Sequence, residues 1–274
     1  MTTILYHANC ADGIFAAYYA HLHNLTADLV PVYYQTTIPA LDGHDVICVD
    51  YCPERATLES AKYKSLKILD HHKSSRIKME GFVPSYPFEY VYDINACGAA
   101  ITWSYYNPMC ARPWILPYIQ DRDLWKWELP GSKAVDACIQ SFPFSMVNCE
   151  MLTKLGYAEC VAQGTPILRY QEKLIQKAVS QATTIKFDGV DGVPMVNSTV
   201  LQSEIGGELA KGKPFAIVWW NKDKEKRFCY SLRSDPNGMD VSEICTRFGG
   251  GGHKHAGSFS CPWHMESDEK PSNI

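Results

Sequence analysis

The sequence predicts an α/β protein: a doubly wound parallel sheet, then a helical linker, then a smaller mixed α/β C-terminal domain. Three observations carry this. Across residues 1–70, short apolar runs alternate with helix-like stretches, the order that builds a parallel sheet with helices on both faces. Beyond about Ala182 the texture changes to closely spaced strand-like runs. The 274-residue length suits one large domain or two modest ones.

The elements follow in order. Ile4-Leu5-Tyr6 reads as a short strand, and Asp12-Gly13 opens a helix whose small and aromatic residues (Ala16 to Ala20) can lie on a sheet. Leu29–Tyr34 is a second strand, and Pro31, which lacks an N–H, marks it as an edge. Asp45–Asp50 is a continuous apolar run closed by a carboxylate. Pro53 suits the first turn of a helix over Glu54–Tyr63. Ser65–Asp70 is another strand ending in Asp. Helices are expected at Asn95–Asn107 and Trp114–Gln120, and the apolar spacing from Ile167 to Ala182 predicts an amphipathic connecting helix. Beyond it come strands at Thr184–Phe187, Val193–Val196, Phe215–Trp220 and Arg227–Leu232. Helices are expected near Ser203–Lys211 and over Asp240–Phe248, and a run of glycines, Gly249–Gly252, follows the second.

Composition narrows the function classes. With 46% hydrophobic and 20% charged residues the chain is globular, which excludes disorder throughout. The formal net charge of −4, from 26 Lys plus Arg against 30 Asp plus Glu, argues against coating long nucleic acid by bulk charge. The 11 cysteines form no C-x-x-C module. No apolar run approaches membrane-spanning length and no cleavable leader is evident, so a soluble cytoplasmic protein with reduced thiols is expected.

Five motifs could carry chemistry. His7-Ala8-Asn9-Cys10-Ala11-Asp12-Gly13 lies at a strand-to-helix turn, where His and Asp either share a cation or serve as a core hydrogen bond and a helix cap. Asp50 and Asp70 close strands, and ligands of doubly wound sheets bind beyond the carboxyl ends of strands. Asp70-His71-His72 is costly to assemble for packing alone and suits a metal ligand with a phosphate contact. In Gln120-Asp121-Arg122-Asp123-Leu124-Trp125, charges inside an aromatic-rich stretch either form a structural ion pair with Arg122 or supply a carboxylate that bridges or supports a metal site. Trp125 and Trp127 either pack the core or stack on a base. Gly249–Gly252 with His253, Lys254 and His255 can bring backbone N–H groups and basic side chains to an anion, or act as a linker.

Taken together and in this order, the motifs resemble the DHH phosphoesterase family in its form with the DHH-associated C-terminal domain, and are similar to its small nano-RNase and cyclic-nucleotide phosphodiesterase members. The resemblance implies a DHH metal-binding catalytic domain over residues 1–148, a helical linker over 149–185, a substrate-binding domain over 186–262 and a polar tail over 263–274. It further implies that His7 and Asp12 hold one metal ion, that Asp50 bridges two, and that His71 and Asp121 hold the second. Asp70 would orient a neighbouring histidine and His72 would reach the scissile phosphate. Arg233, Gly250, Gly251, Gly252, His253 and His255 would contact substrate. The metal would be Mn²⁺, one or two ions, with Mg²⁺, Fe²⁺ or Zn²⁺ as alternatives. The sequence departs from the pattern beside His7, where relatives carry two carboxylates and this chain has Asp12 alone. Asn9 or Cys10 would supply a further ligand.

The expected activity is hydrolysis of short oligonucleotides or small (di)nucleotides by metal-activated water. The expected partners are therefore small nucleotides, with no long duplex and no membrane, and a homodimer is one assembly open to the chain. Two alternatives stand beside it: a phosphodiesterase specific for cyclic dinucleotides, and a catalytically weak nucleotide-binding protein that keeps the fold. No G-x-S-x-G and no Walker A sequence is present, so neither a serine-hydrolase elbow nor a P-loop is expected.

Overall fold

The structure is a computed structural model and describes residues 1–33 and 37–262. It divides into two compact units, Met1–Leu168 and Arg169–Ile274. Tyr34 and the tail 263–274 lie outside the described residues.

The first unit holds strands β1 (Thr2–His7), β2 (Asp28–Val32), β3 (Asp45–Val49), β4 (Ser65–Asp70) and β5 (Phe88–Tyr92). They form one sheet in the order β2-β1-β3-β4-β5, and every pairing is parallel. Pro31 sits on the edge strand β2, as its missing N–H requires. Successive residues of the inner strands point to opposite faces. Ile4, Ile47, Val49 and Leu69 join one core cluster, while Leu5, Val46, Cys48 and Ile68 join another. A strand buried on both faces needs a continuous apolar run, and Val46-Ile47-Cys48-Val49 has one.

Helices α1 (Ala11–Leu22), α4 (Gly98–Tyr106) and α5 (Leu116–Asp123) cover the first face. They are joined by α6 (Ser132–Gln140) and α7 (Met146–Leu155). Helices α2 (Arg55–Ser60) and α3 (Lys73–Met79) cover the other through Leu58 and Met79. The doubly wound parallel sheet expected from the sequence is therefore present. Helix α2 is shorter than Glu54–Tyr63. α3 and β5 were not anticipated, although the aromatic run Phe88–Tyr92 after Pro87 has strand character. Helix α5 starts and ends later than expected and so carries both Asp121 and Asp123 in its last turn.

Helix α8 (Tyr157–Val179) follows. The second unit then builds a mixed six-stranded sheet from β6 (Thr183–Phe187), β7 (Val190–Asn197), β8 (Ala216–Lys222), β9 (Arg227–Arg233), β10 (Gly251–His253) and β11 (Ala256–Pro262). Helices α9 (Gln202–Leu209) and α10 (Val241–Arg247) pack on it. The mixed α/β character matches the expectation, but the glycine run is not a loop throughout. Gly251–His253 is an edge strand joined to β11 by the two-residue turn Lys254-His255. A Cβ at Gly250 would stand 2.0 Å from the Ser258 carbonyl oxygen, so glycine is needed there for close packing of β11.

Among the described residues no helix is long and apolar enough to cross a membrane. All 11 cysteines are free thiols, and most are buried.

Candidate metal centre

In a parallel sheet of order 2-1-3-4-5, the chain leaves β1 and β3 toward opposite faces and opens a crevice at their carboxyl ends. His7 ends β1, Asp50 follows β3, and Asp70 ends β4 with His71 and His72 next in the chain. The crevice therefore collects these side chains by topology alone.

Asp50 is the centre of the arrangement. It is 1% exposed and holds a left-handed backbone conformation, φ 52°. Few residues other than glycine adopt this region, though Asp and Asn do so more readily than most. Its Oδ2 lies 3.4 Å from His7 Nδ1, and its Oδ1 lies 3.2 Å from His71 Nε2. The two oxygens thus face two different histidines. Asp50 does not cap α2, whose N-cap is Glu54.

Asp12 is buried and does not cap its own helix, where Cys10 holds the N-cap. Instead it accepts hydrogen bonds from the backbone N–H groups of Gly98 (2.6 Å) and Ala99 (2.8 Å) at the start of α4. These bonds turn its Oδ2 toward His71 Nε2, 3.6 Å away. Asp12 thus groups with His71 and Asp123, whereas His7 groups with Cys10 and Asp50. The expected pairing of His7 with Asp12 is replaced by this regrouping.

The fourth motif needs a correction. Asp121 is buried, but its carboxylate accepts from the N–H groups of Glu128 (3.0 Å) and Leu129 (3.3 Å) and so ties down the turn after α5. The residue at the cluster is Asp123, with Oδ2 3.5 Å from His71 Nε2. Two residues along a helix is a rotation of about 200°, so Asp121 and Asp123 face opposite ways. Arg122 pairs with Asp136 at 3.5 Å rather than with Asp121. Asp123 stands outside the ligand set that the family resemblance implies; its signal in the sequence is the D-x-D spacing itself, which offers one carboxylate to each side. Trp125 and Trp127, both at positive φ (57° and 58°), lie edge to face at 5.2 Å, half-buried and outside the hydrophobic clusters.

Asp70 is fully buried. Its Oδ1 accepts from the His71 N–H (2.8 Å) and is 2.7 Å from His72 Nδ1. That contact fixes the orientation and tautomer of the His72 ring. The histidine oriented by Asp70 is therefore His72. Asn9, at φ 54°, shapes the turn between β1 and α1.

The electrostatics of this cluster follow from its burial. Burial raises Asp50, but the imidazoles of His7, His71 and His72 outweigh it and hold the carboxyl well below the usual range. Burial and the charges of Asp50 and Asp123 push Asp12 well above that range. Burial, with Asp50 beside it, also raises Asp123. Burial alone would lower His71; the surrounding carboxylates Asp123, Asp50 and Asp12 raise it well above the ordinary imidazole value. Asp50 Oδ2 and Asp123 Oδ2 are buried without a hydrogen-bond partner. Unsatisfied carboxylate oxygens in a low-dielectric site are costly. Divalent cations suit this donor set of imidazoles and carboxylates.

In the second unit, Arg233 ends β9 and donates to Ser231 Oγ (3.0 Å) and Ser203 Oγ (2.6 Å), a partly buried guanidinium braced by two hydroxyls. His255 Nδ1 lies 2.9 Å from Ser234 Oγ, next to Arg233 in the chain. His253 pairs in register with Ala256, closing the β10–β11 hairpin. Gly252, at φ 142°, has its Cα close enough to this strand that a Cβ would sit 2.3 Å from the Ala256 carbonyl oxygen.

No protein-family model matches the chain. The chain is 29% identical over 290 residues to the uncharacterized protein R106 of Acanthamoeba polyphaga mimivirus, covering 92% of this chain and spanning 66% of that protein's length. Among solved structures, it is similar to the pGpG-specific phosphodiesterase PggH from Vibrio cholerae at a TM-score of 0.52 and 14% identity, covering 95% of this chain and 93% of that one. It is also similar to the DHH domain of a member of the s1p family of ribosomal proteins, at a TM-score of 0.51 and 10% identity, covering 94% of this chain and 82% of that one.

Proposed function

We propose that this chain, whose fold is of the DHH type, is a divalent-cation-dependent phosphoric ester hydrolase acting on short oligonucleotides or small (di)nucleotides. The observation that carries the proposal is the convergence of His7, Asp12, Asp50, His71 and Asp123 at the carboxyl ends of parallel strands, with buried oxygens lacking partners.

Bound cations, manganese first among those expected, would polarise phosphoryl oxygens and make a nucleophile of water near neutral pH. The residues do the rest. Asp50 presents one oxygen to each half of the cluster and so suits a bridging position. Asp70 locks the His72 ring, which then offers its other nitrogen toward a phosphoryl oxygen as negative charge develops there. In the second unit, Arg233 and the His253–His255 hairpin supply donors for phosphate or base. The acid excess of the chain disfavours a long phosphate track and leaves a small substrate as the better fit.

The specificity of PggH for pGpG makes linear dinucleotides the first to assay. Cyclic dinucleotides and 3′-phosphorylated nucleotides are the other arms. The second reading, a nucleotide-binding protein of weak activity, draws on the first motif, where Asn9 and Cys10 follow His7 and Asp12 is the one carboxylate. Incubating the protein with this panel in Mn²⁺, and again with chelator, separates the two. Release of mononucleotide that chelator abolishes is expected. Binding without release, whichever divalent cation is supplied, would refute the hydrolase reading.

A further inference from the structure

The geometry points to two chemically unequal cation seats, in which the Cys10 thiolate is a ligand of the His7 seat and gives it a preference for softer cations such as Zn²⁺ or Fe²⁺. The inference rests on the cation-dependent reading above and deepens it.

Cys10 Sγ, a His7 ring nitrogen and an Asp50 oxygen all lie within 4.8 Å of one another, the span one ion can bridge. The other group, Asp12, His71 and Asp123, holds an imidazole and two carboxylates. One seat therefore offers nitrogen, sulfur and oxygen; the other offers nitrogen and two oxygens. Asp50, 1% exposed with Oδ2 lacking a hydrogen-bond partner, is the independent sign that a cation belongs on the His7 side.

The fold explains why sulfur is presented there. Asp12, the carboxylate nearest in sequence, is drawn to the N–H groups of Gly98 and Ala99 and turned toward His71. That leaves Cys10 to complete the His7 side. Cys10 is the N-cap of the 12-residue helix α1, in extended conformation and without a side-chain cap bond. Burial pushes the Cys10 thiol up, so an ion seated there has to displace its proton. As the metal–sulfur bond forms, the S–H bond breaks and its proton leaves to solvent, so binding releases a proton. Thiolate donors favour Zn²⁺ and iron, while an oxygen-rich seat suits Mn²⁺ or Mg²⁺.

The test is cobalt(II) titrated into the full-length protein after chelation, followed by absorption. A thiolate–cobalt bond adds a near-ultraviolet charge-transfer band that nitrogen and oxygen ligands do not. The wild type should show this band, Cys10→Ser and Cys10→Asp should lose it, and Asp123→Asn should retain it. Cys10→Ser should also weaken zinc binding by at least about tenfold, with circular dichroism confirming an intact fold. Cobalt bound by the wild type without the band, or a band that survives in a folded Cys10→Ser protein, overturns the inference. The readout is independent of turnover. The band without any nucleotide hydrolysis would leave the inference standing and sink the hydrolase reading, and hydrolysis without the band would do the reverse.

Discussion

At the residue scale, the two aspartates of α5 divide two roles that one motif left merged. Asp123 borders His71, and Asp121 holds the N–H groups of Glu128 and Leu129. Their substitutions should therefore separate. Asp123→Asn should lower turnover by about 10²–10³-fold, the scale of losing one charge-stabilising group, with the fold intact. Asp121→Asn should leave turnover within about tenfold of wild type and cost about 1–3 kcal/mol of stability, because it leaves backbone donors poorly paired. Steady-state kinetics with denaturant melts of both variants check this, and the opposite pattern would return the site role to Asp121. Asp50 illustrates another residue-scale point. Its positive φ and buried, partly unpaired carboxylate are strain held by the surrounding structure, as functional sites often show.

At the scale of elements, close contacts rather than propensity position the cluster. Gly98 begins α4 where a Cβ would stand 2.6 Å from Asp50 Cβ and 3.0 Å from Asp12 Oδ2. The absence of a side chain there lets the start of α4 donate to Asp12 while Asp50 stays beside it. Gly98→Ala is expected to destabilise by about 1–3 kcal/mol, the usual cost of overpacking, and to weaken divalent binding through the displaced carboxylates. Thermal melts with and without Mn²⁺ measure both effects, and an unchanged cation response would show that the contact matters for packing only. Gly13 has a similar role at the other end of the cluster, since a Cβ there would meet the His7 carbonyl oxygen at 2.1 Å. These element-level facts were partly legible. β1, β3, β4 and the helices after them follow from apolar runs and turn residues. The end of α5 did not, because a helix ends where its last carbonyls find other donors, here the Leu124 N–H bonded back to the Gln120 and Arg122 carbonyls, and no residue type in the sequence marks that point.

At the scale of the molecule, the cluster should couple stability to both protons and cations. Burial lowers His7 and His71, but the nearby carboxylates, and for His7 also Cys10, outweigh it and raise both well above about 6.5. A histidine raised in the folded state stabilises fully below its unfolded value and loses that contribution as pH rises through the folded value. Asp12 and Asp123, raised by burial and mutual charge, act in the same direction, while the lowered Asp50 and Asp70 act only at acid pH. Metal-free protein should therefore melt higher at pH 6 than at pH 8, and Mn²⁺ should raise the melting temperature more at pH 8 than at pH 6. At a hundredfold excess over Kd the cation contributes about 2.7 kcal/mol. Melting curves in chelator and in Mn²⁺ at the two pH values test this, and an equal cation response at both would count against the histidines as ligands.

The sequence by itself determined the parallel α/β layout and placed His7, Asp50 and the Asp70-His71-His72 run at strand ends, because apolar periodicity and strand-terminal polar residues are local properties. Only the tertiary structure decided the grouping. It put Asp12 with His71, Cys10 with His7, and Asp123 rather than Asp121 at the cluster. The physical reason is that a carboxylate faces whichever buried donors reach it. Here those donors are the N–H groups of Gly98 and Ala99 for Asp12, and of Glu128 and Leu129 for Asp121. In the case of Asp12 they come from 86 and 87 residues away along the chain, beyond the reach of any local pattern.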